Sequence, residues 1–147
     1  MKRMIAAGLL TAGLLVPTAA TAGPGPVETV EAFYLNAPEG ERDPARFTGP
    51  ALAALERHDA MEAQGDYGCL DFSFVFDAQD FDARQVADTL DVQLEEESGD
   101  SAMVTAQFVN FGRAQEIDWT LERVDGKWLV SDVAHPDGAW RLGSLCE

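Results

Sequence analysis

Acidic side chains crowd the stretch CLDFSFVFDAQDFD, where Asp71, Asp77, Asp80 and Asp82 follow one another closely. Carboxylates at this spacing suit a hard cation such as calcium, which takes several oxygen ligands at about 2.3–2.6 Å. Asp77, Asp80 and Asp82, with Gln79 between them, are the candidate metal ligands. The stretch lacks the central glycine and closing glutamate of an EF-hand loop. Aspartate also serves as a turn and cap residue, accepting backbone N–H groups. That reading stands beside the metal one, and the default is no cofactor.

Other chemistry is sparsely supplied. His58 and His135 are the two histidines. A general base needs a tuned pKa and a substrate within hydrogen-bond reach, and neither histidine sits in a context that announces one. His58-Asp59 is expected at the exposed edge of a helix, and His135 in the loop before Pro136. Asp118 and Asp132 alternate with Trp119 and Val133, so exposure is expected for both. No G-x-S-x-G, phosphate-binding glycine loop or zinc spacing occurs. No catalytic residue is assigned. Cys69 and Cys146 have no C-x-x-C context and no neighbouring histidine, so a disulfide between them is expected in an oxidising compartment.

That compartment follows from the N-terminus. Lys2 and Arg3 precede an uncharged run from Met4 to Val16, Pro17 breaks it, and Ala20-Thr21-Ala22 offers small residues for cleavage. The run is short of the roughly 20 residues a bilayer requires. Residues 1–22 are therefore expected to be a cleaved secretory signal, and 23–147 a single α+β domain in the periplasm or outside the cell. Ten basic residues against 26 acidic ones give a formal charge of −16. Loss of Lys2 and Arg3 with the leader makes it −18. Such a surface repels nucleic acid and anionic lipid, and it attracts a basic protein.

The elements that must hold these groups are read from periodicity. Val27, Val30 and Tyr34 share one helical face before Asn36 to Gly40 ends it. Asp43-Pro44 caps a short turn through Phe47, and Thr48-Gly49-Pro50 opens a second helix to about Ala63, with Leu52, Leu55 and Met61 on its apolar face. Leu70, Phe72, Phe74 and Phe76 alternate as a short strand or extended segment would, Asp77 to Asp80 turns, and Val86 to Leu94 reads as a strand of poor propensity in preference to a helical piece. Glu95 to Asp100 then connects to Ala102–Phe111, a strand with apolar residues on both faces and hence expected to be covered on both sides. Ile117, Trp119 and Leu121 alternate with polar residues, Asp125-Gly126 suits a type I′ turn, and Lys127 to Val133 returns. Trp140, Leu142 and Leu145 form an apolar tail that Cys146 pins.

Helices first and an antiparallel meander after them predict an α+β fold, with N-terminal helices packed on a curved sheet. Three motifs then resemble one exported bacterial family, the domain of unknown function 3828. They are the helix around Val30 to Tyr34, Cys69 to Phe72 with Phe76 to Asp80, and the closing Asp125 to Val133. The resemblance implies a cystatin or nuclear transport factor 2-like cone and an exported protein, with no activity and no catalytic residue to carry over. A cone leaves a concave pocket, for which Trp119, Trp128, Tyr34 and the lid-like Trp140 are the candidate ligand residues. The first reading is a non-catalytic module binding a small ligand or a protein. The alternatives are an acidic inhibitor or immunity-type protein against a basic enzyme, and a cone-fold enzyme using a pocket carboxylate or histidine. The open sheet face also suits a homodimer.

Overall fold

The computed structural model describes residues 22–37 and 39–147. The expected signal, apart from Ala22, lies outside the described residues. Helix α1 (Pro26–Leu35) starts on a proline that suits the first helical turn, and buries Val30, Phe33 and Tyr34. A 3-10 turn (Pro44–Arg46) follows, with the Asp43 carboxylate accepting from Ala45 N at 3.0 Å. Helix α2 (Gly49–Ala63) buries Ala51, Ala54, Leu55 and His58. Leu52 and Met61, expected on its inner face, are half-buried at the flanks. Small alanines let the helix approach closely, so the inner face is less apolar than periodicity suggested.

Four strands form one antiparallel meander in the order β1-β2-β3-β4. They are β1 (Asp91–Ser98), β2 (Ser101–Asn110), β3 (Arg113–Val124) and β4 (Lys127–Ala134). Asp125 and Gly126 have φ of 50° and 78°, as a type I′ turn requires. Trp119 pairs with Val104 on one side and Val133 on the other, which places it at the sheet's centre. Bulges between Leu94 and Glu96 and opposite Thr120–Leu121 break the register and bend the strands. The helices cover one face, so the α+β class with helices on an antiparallel sheet holds.

Four expectations are corrected. Residues 70–76 form no strand but a series of turns closed by an isolated Ser73–Ala78 bridge. Phe74, Val75 and Phe76 are buried consecutively, which a pleated strand with one inner face does not allow. Val86 to Leu94 is not one strand. Helix α3 (Ala83–Thr89) opens on Asp82, whose carboxylate accepts from Arg84 N and Gln85 N, and β1 follows it. Glu95, Glu96 and Glu97 belong to β1, leaving Gly99-Asp100 as the turn. Finally, β2 is covered on one side only: Ala102, Val104, Ala106 and Phe108 are buried, whereas Met103 is 46% and Phe111 62% exposed.

The core is aromatic. Phe33 lies 4.9 Å from Trp119, centroid to centroid, and Phe47 and Tyr34 extend the cluster on either side. Cys69 and Cys146 form the expected disulfide, with Cα atoms 5.4 Å apart across 77 residues of sequence. It pins a tail that begins as an Ala134–Arg141 bridge and ends in a 3-10 turn (Leu142–Ser144) against α2 and β4.

Candidate functional site

The aromatic residues expected around one pocket are dispersed. Trp119 is fully enclosed and Tyr34 nearly so, and the Trp119 Nε1–H donates to the Tyr34 hydroxyl at 3.3 Å. Burial pushes the Tyr34 hydroxyl far above its ordinary pKa, so it stays protonated. Both rings belong to the core, where Tyr34 also meets Phe76 and Phe108 and Trp119 meets Phe33. Trp128 stands elsewhere, with the Arg123 guanidinium 4.5 Å over its ring. It lines a shallow groove of about 320 Å³ with Glu28, Arg46 and Lys127. Trp140 lies at the opposite end, edge-on to Phe72 at 5.3 Å.

The three aspartates expected to share a cation are also apart in role. Asp77 Oδ1 accepts the Trp140 indole N–H at 2.7 Å. Asp82 caps α3, and Asp80 is held through its backbone carbonyl, which accepts from Asn110 Nδ2 at 3.2 Å. The Asp77 and Asp82 carboxylates thus already accept hydrogen bonds from the protein. Among the described residues, the group whose donor atoms converge is His58, Asp59 and Glu62. Arg42 Nη1 already stands 2.8 Å from His58 Nε2. A guanidinium there opposes a second cation, so no metal is assigned.

Two polar groups expected at the surface are buried. His58 is 3% exposed, and its Nδ1 accepts from Leu70 N at 3.2 Å. Its ring fills the space where a side chain on Gly68 would go. Asp132 is enclosed because the pinned tail folds over it. Arg141 Nη1 lies 2.9 Å from Oδ2, and Gly143 N donates to Oδ1 at 3.0 Å. Neither burial was readable locally: each partner is brought in by a distant segment. His135 stays at the margin, paired with Asp137 and 3.8 Å from Asp77.

The side of the sheet turned away from the helices gathers several acidic side chains. Strand alternation puts Asp91 and Glu96 of β1 there, beside Met103, Thr105 and Gln107 of β2 and Glu116, Asp118 and Glu122 of β3. Asp118 accepts from Thr105 at 3.0 Å, Glu116 from Gln107 and Asp91 from Gln93, both at 2.6 Å. Among the described residues none of these five carboxylates forms a salt bridge. Like charges laid across neighbouring strands repel. The face therefore carries negative charge that no salt bridge among the described residues offsets.

No family model and no curated protein matches the chain. Solved structures do. The chain is similar to a chain in the selenomethionine crystal structure of the type VI effector–immunity complex Tae3–Tai3 from Ralstonia pickettii. The identity is 21% and the TM-score 0.54, over 76% of this chain and 97% of that one. The native form of the same complex gives 20% identity and a TM-score of 0.51, over 74% and 91%.

Proposed function

We propose that this chain is an immunity-type protein that binds and blocks a basic effector enzyme delivered to its compartment. The observation that carries the reading is the likeness to a chain of an effector–immunity complex, extending over nearly all of that chain. The acidic sheet face supplies the physical means. Five carboxylates without salt-bridge partners attract a cationic partner, speed its encounter and disfavour acidic competitors. The first sequence reading, a non-catalytic binding module, is narrowed here to protein binding, since the aromatic residues expected to form a ligand pocket lie in the core or far apart.

Export completes the reading. The disulfide suits an oxidising compartment, and residues 1–22 act as the cleaved signal that delivers the chain there. Among the described residues no helix is long and apolar enough to cross a membrane. We further propose membership of the domain of unknown function 3828 family, which adds no activity. The test is affinity capture of the secreted proteins of the same strain at low ionic strength. A basic enzyme should be retained, released by added salt, and inhibited when the purified partners are mixed. Retention of no basic enzyme would sink the proposal.

A further inference from the structure

Residues 40–43 and 70–73 face each other across an open cleft of about 700 Å³, on the side of the molecule where the disulfide lies. Glu41 stands in its wall with 8% of its surface exposed. Ser73 Oγ donates to Glu41 Oε2 at 3.0 Å, and the Phe74 and Val75 amides lie toward the same carboxylate. The other oxygen, Oε1, is buried without a hydrogen-bond partner. An unpartnered buried carboxylate oxygen is costly, and native chains retain few of them. Burial accordingly pushes the Glu41 pKa up.

The neighbouring arginine offsets this only through its charge and makes no hydrogen bond to the carboxylate. Arg42 directs one nitrogen to His58 Nε2 at 2.8 Å and the other to the Leu70 carbonyl at 2.9 Å. That guanidinium forms a strap across the wall. Asp43 and Asp71 add exposed carboxylates at the rim, and Phe72 adds an apolar surface. The lining thus offers three carboxylates, one cation already engaged, and a ring against which an alkyl stem can lie.

We propose that this cleft receives a single ammonium or guanidinium group, which donates to Glu41 under the rim carboxylates of Asp43 and Asp71 while its stem lies on Phe72. Ammonium and guanidinium both fit, the first as a compact triple donor and the second as a planar fork for a carboxylate. The group can come from a free small amine or from a lysine or arginine side chain of a protein. The site is separate from the acidic sheet face and stands whether or not the immunity reading does.

Titrations of the mature protein with n-butylamine and methylguanidine, followed by amide chemical shifts, test it. Butanol serves as the uncharged control, and the peptides Gly-Gly-Lys-Gly-Gly and Gly-Gly-Gln-Gly-Gly test the side-chain source. Saturable shifts at Glu41, Ser73 and Phe72 are expected with the cations and not with butanol. Glu41→Gln should weaken binding about tenfold, or ~1.4 kcal/mol, and Glu56→Gln on the exposed side of α2 should leave it unchanged. Tighter binding of the lysine peptide than of butylamine assigns the site to a protein partner, and the reverse order assigns it to a free amine. Should Glu41→Gln fail to fold, the rim pair Asp43→Asn/Asp71→Asn takes its place, with a loss of about threefold expected. Absence of saturation by either cation, or unchanged affinity in the variants, would overturn the assignment and leave Glu41 as a group that holds the Ser73–Phe76 turn.

Discussion

The indole N–H of Trp119 and the hydroxyl of Tyr34 meet at 3.3 Å in the interior and join the middle strand to the first helix. The bond spans 85 positions of sequence and lies within the largest aromatic cluster. Tyr34→Phe keeps the ring and removes the acceptor, stranding a buried donor. A loss of about 1–2 kcal/mol in denaturant unfolding is expected. Stability equal to that of the wild type would show that the hydrogen bond contributes nothing net.

The disulfide holds the tail that covers Asp132. Its 77-residue span restricts the unfolded chain, and Cys69→Ser/Cys146→Ser should cost about 2–4 kcal/mol. Release of the tail should also expose Asp132 and free Arg141. Faster amide exchange at Gly143 and Val133 in the double variant is the matching local signature, and unchanged exchange there would separate the tail's position from the bond.

Glu41 gives the stability a pH dependence of definite sign. Burial raises its folded pKa above the ordinary 4.5, against the opposing pull of the Ser73 hydrogen bond and of Arg42. The folded state then binds the proton more tightly than the unfolded one. The stability this acid contributes is fully present below about pH 4.5 and is lost as pH rises through the raised folded value. Relative to Glu41→Gln, in which the other carboxylates cancel, wild-type stability should fall as pH is raised from 4 to 7. A difference that is flat with pH, or that grows in favour of the wild type, would contradict the burial of a charged group.

Sequence reading succeeded where one local rule sufficed. Ile117, Trp119 and Leu121 alternate, and Asp125-Gly126 matches its turn, so β3 and β4 were legible. It failed where distant segments decide. Phe74 to Phe76 are buried consecutively, with Phe74 against Phe47 and Phe76 against Tyr34, Phe81 and Phe108 of other segments. Asp82 looked like a ligand because a helix cap and a metal site ask for the same carboxylate. His58 and Asp132 are covered by Leu70, Arg42 and the pinned tail, which no periodicity near them foretells. Glu41 carried no signal at all: in Glu39-Gly40-Glu41-Arg42-Asp43 it reads as one more surface acid. The negative charge was visible at once, but its concentration on one sheet face required the register.

Protection of cells is the decisive readout. A strain lacking this gene is grown against its parent and complemented with the wild-type chain or with Glu116→Gln/Asp118→Asn/Glu122→Gln. These side chains lie on the uncovered face, so the variant should fold normally. The wild-type chain should restore survival, and the neutralised variant, exported to the same level, should restore far less, with affinity for the effector reduced about tenfold or more. Full survival of the uncomplemented strain would contradict the immunity reading. Full protection by the variant would instead contradict the role given to the acidic face.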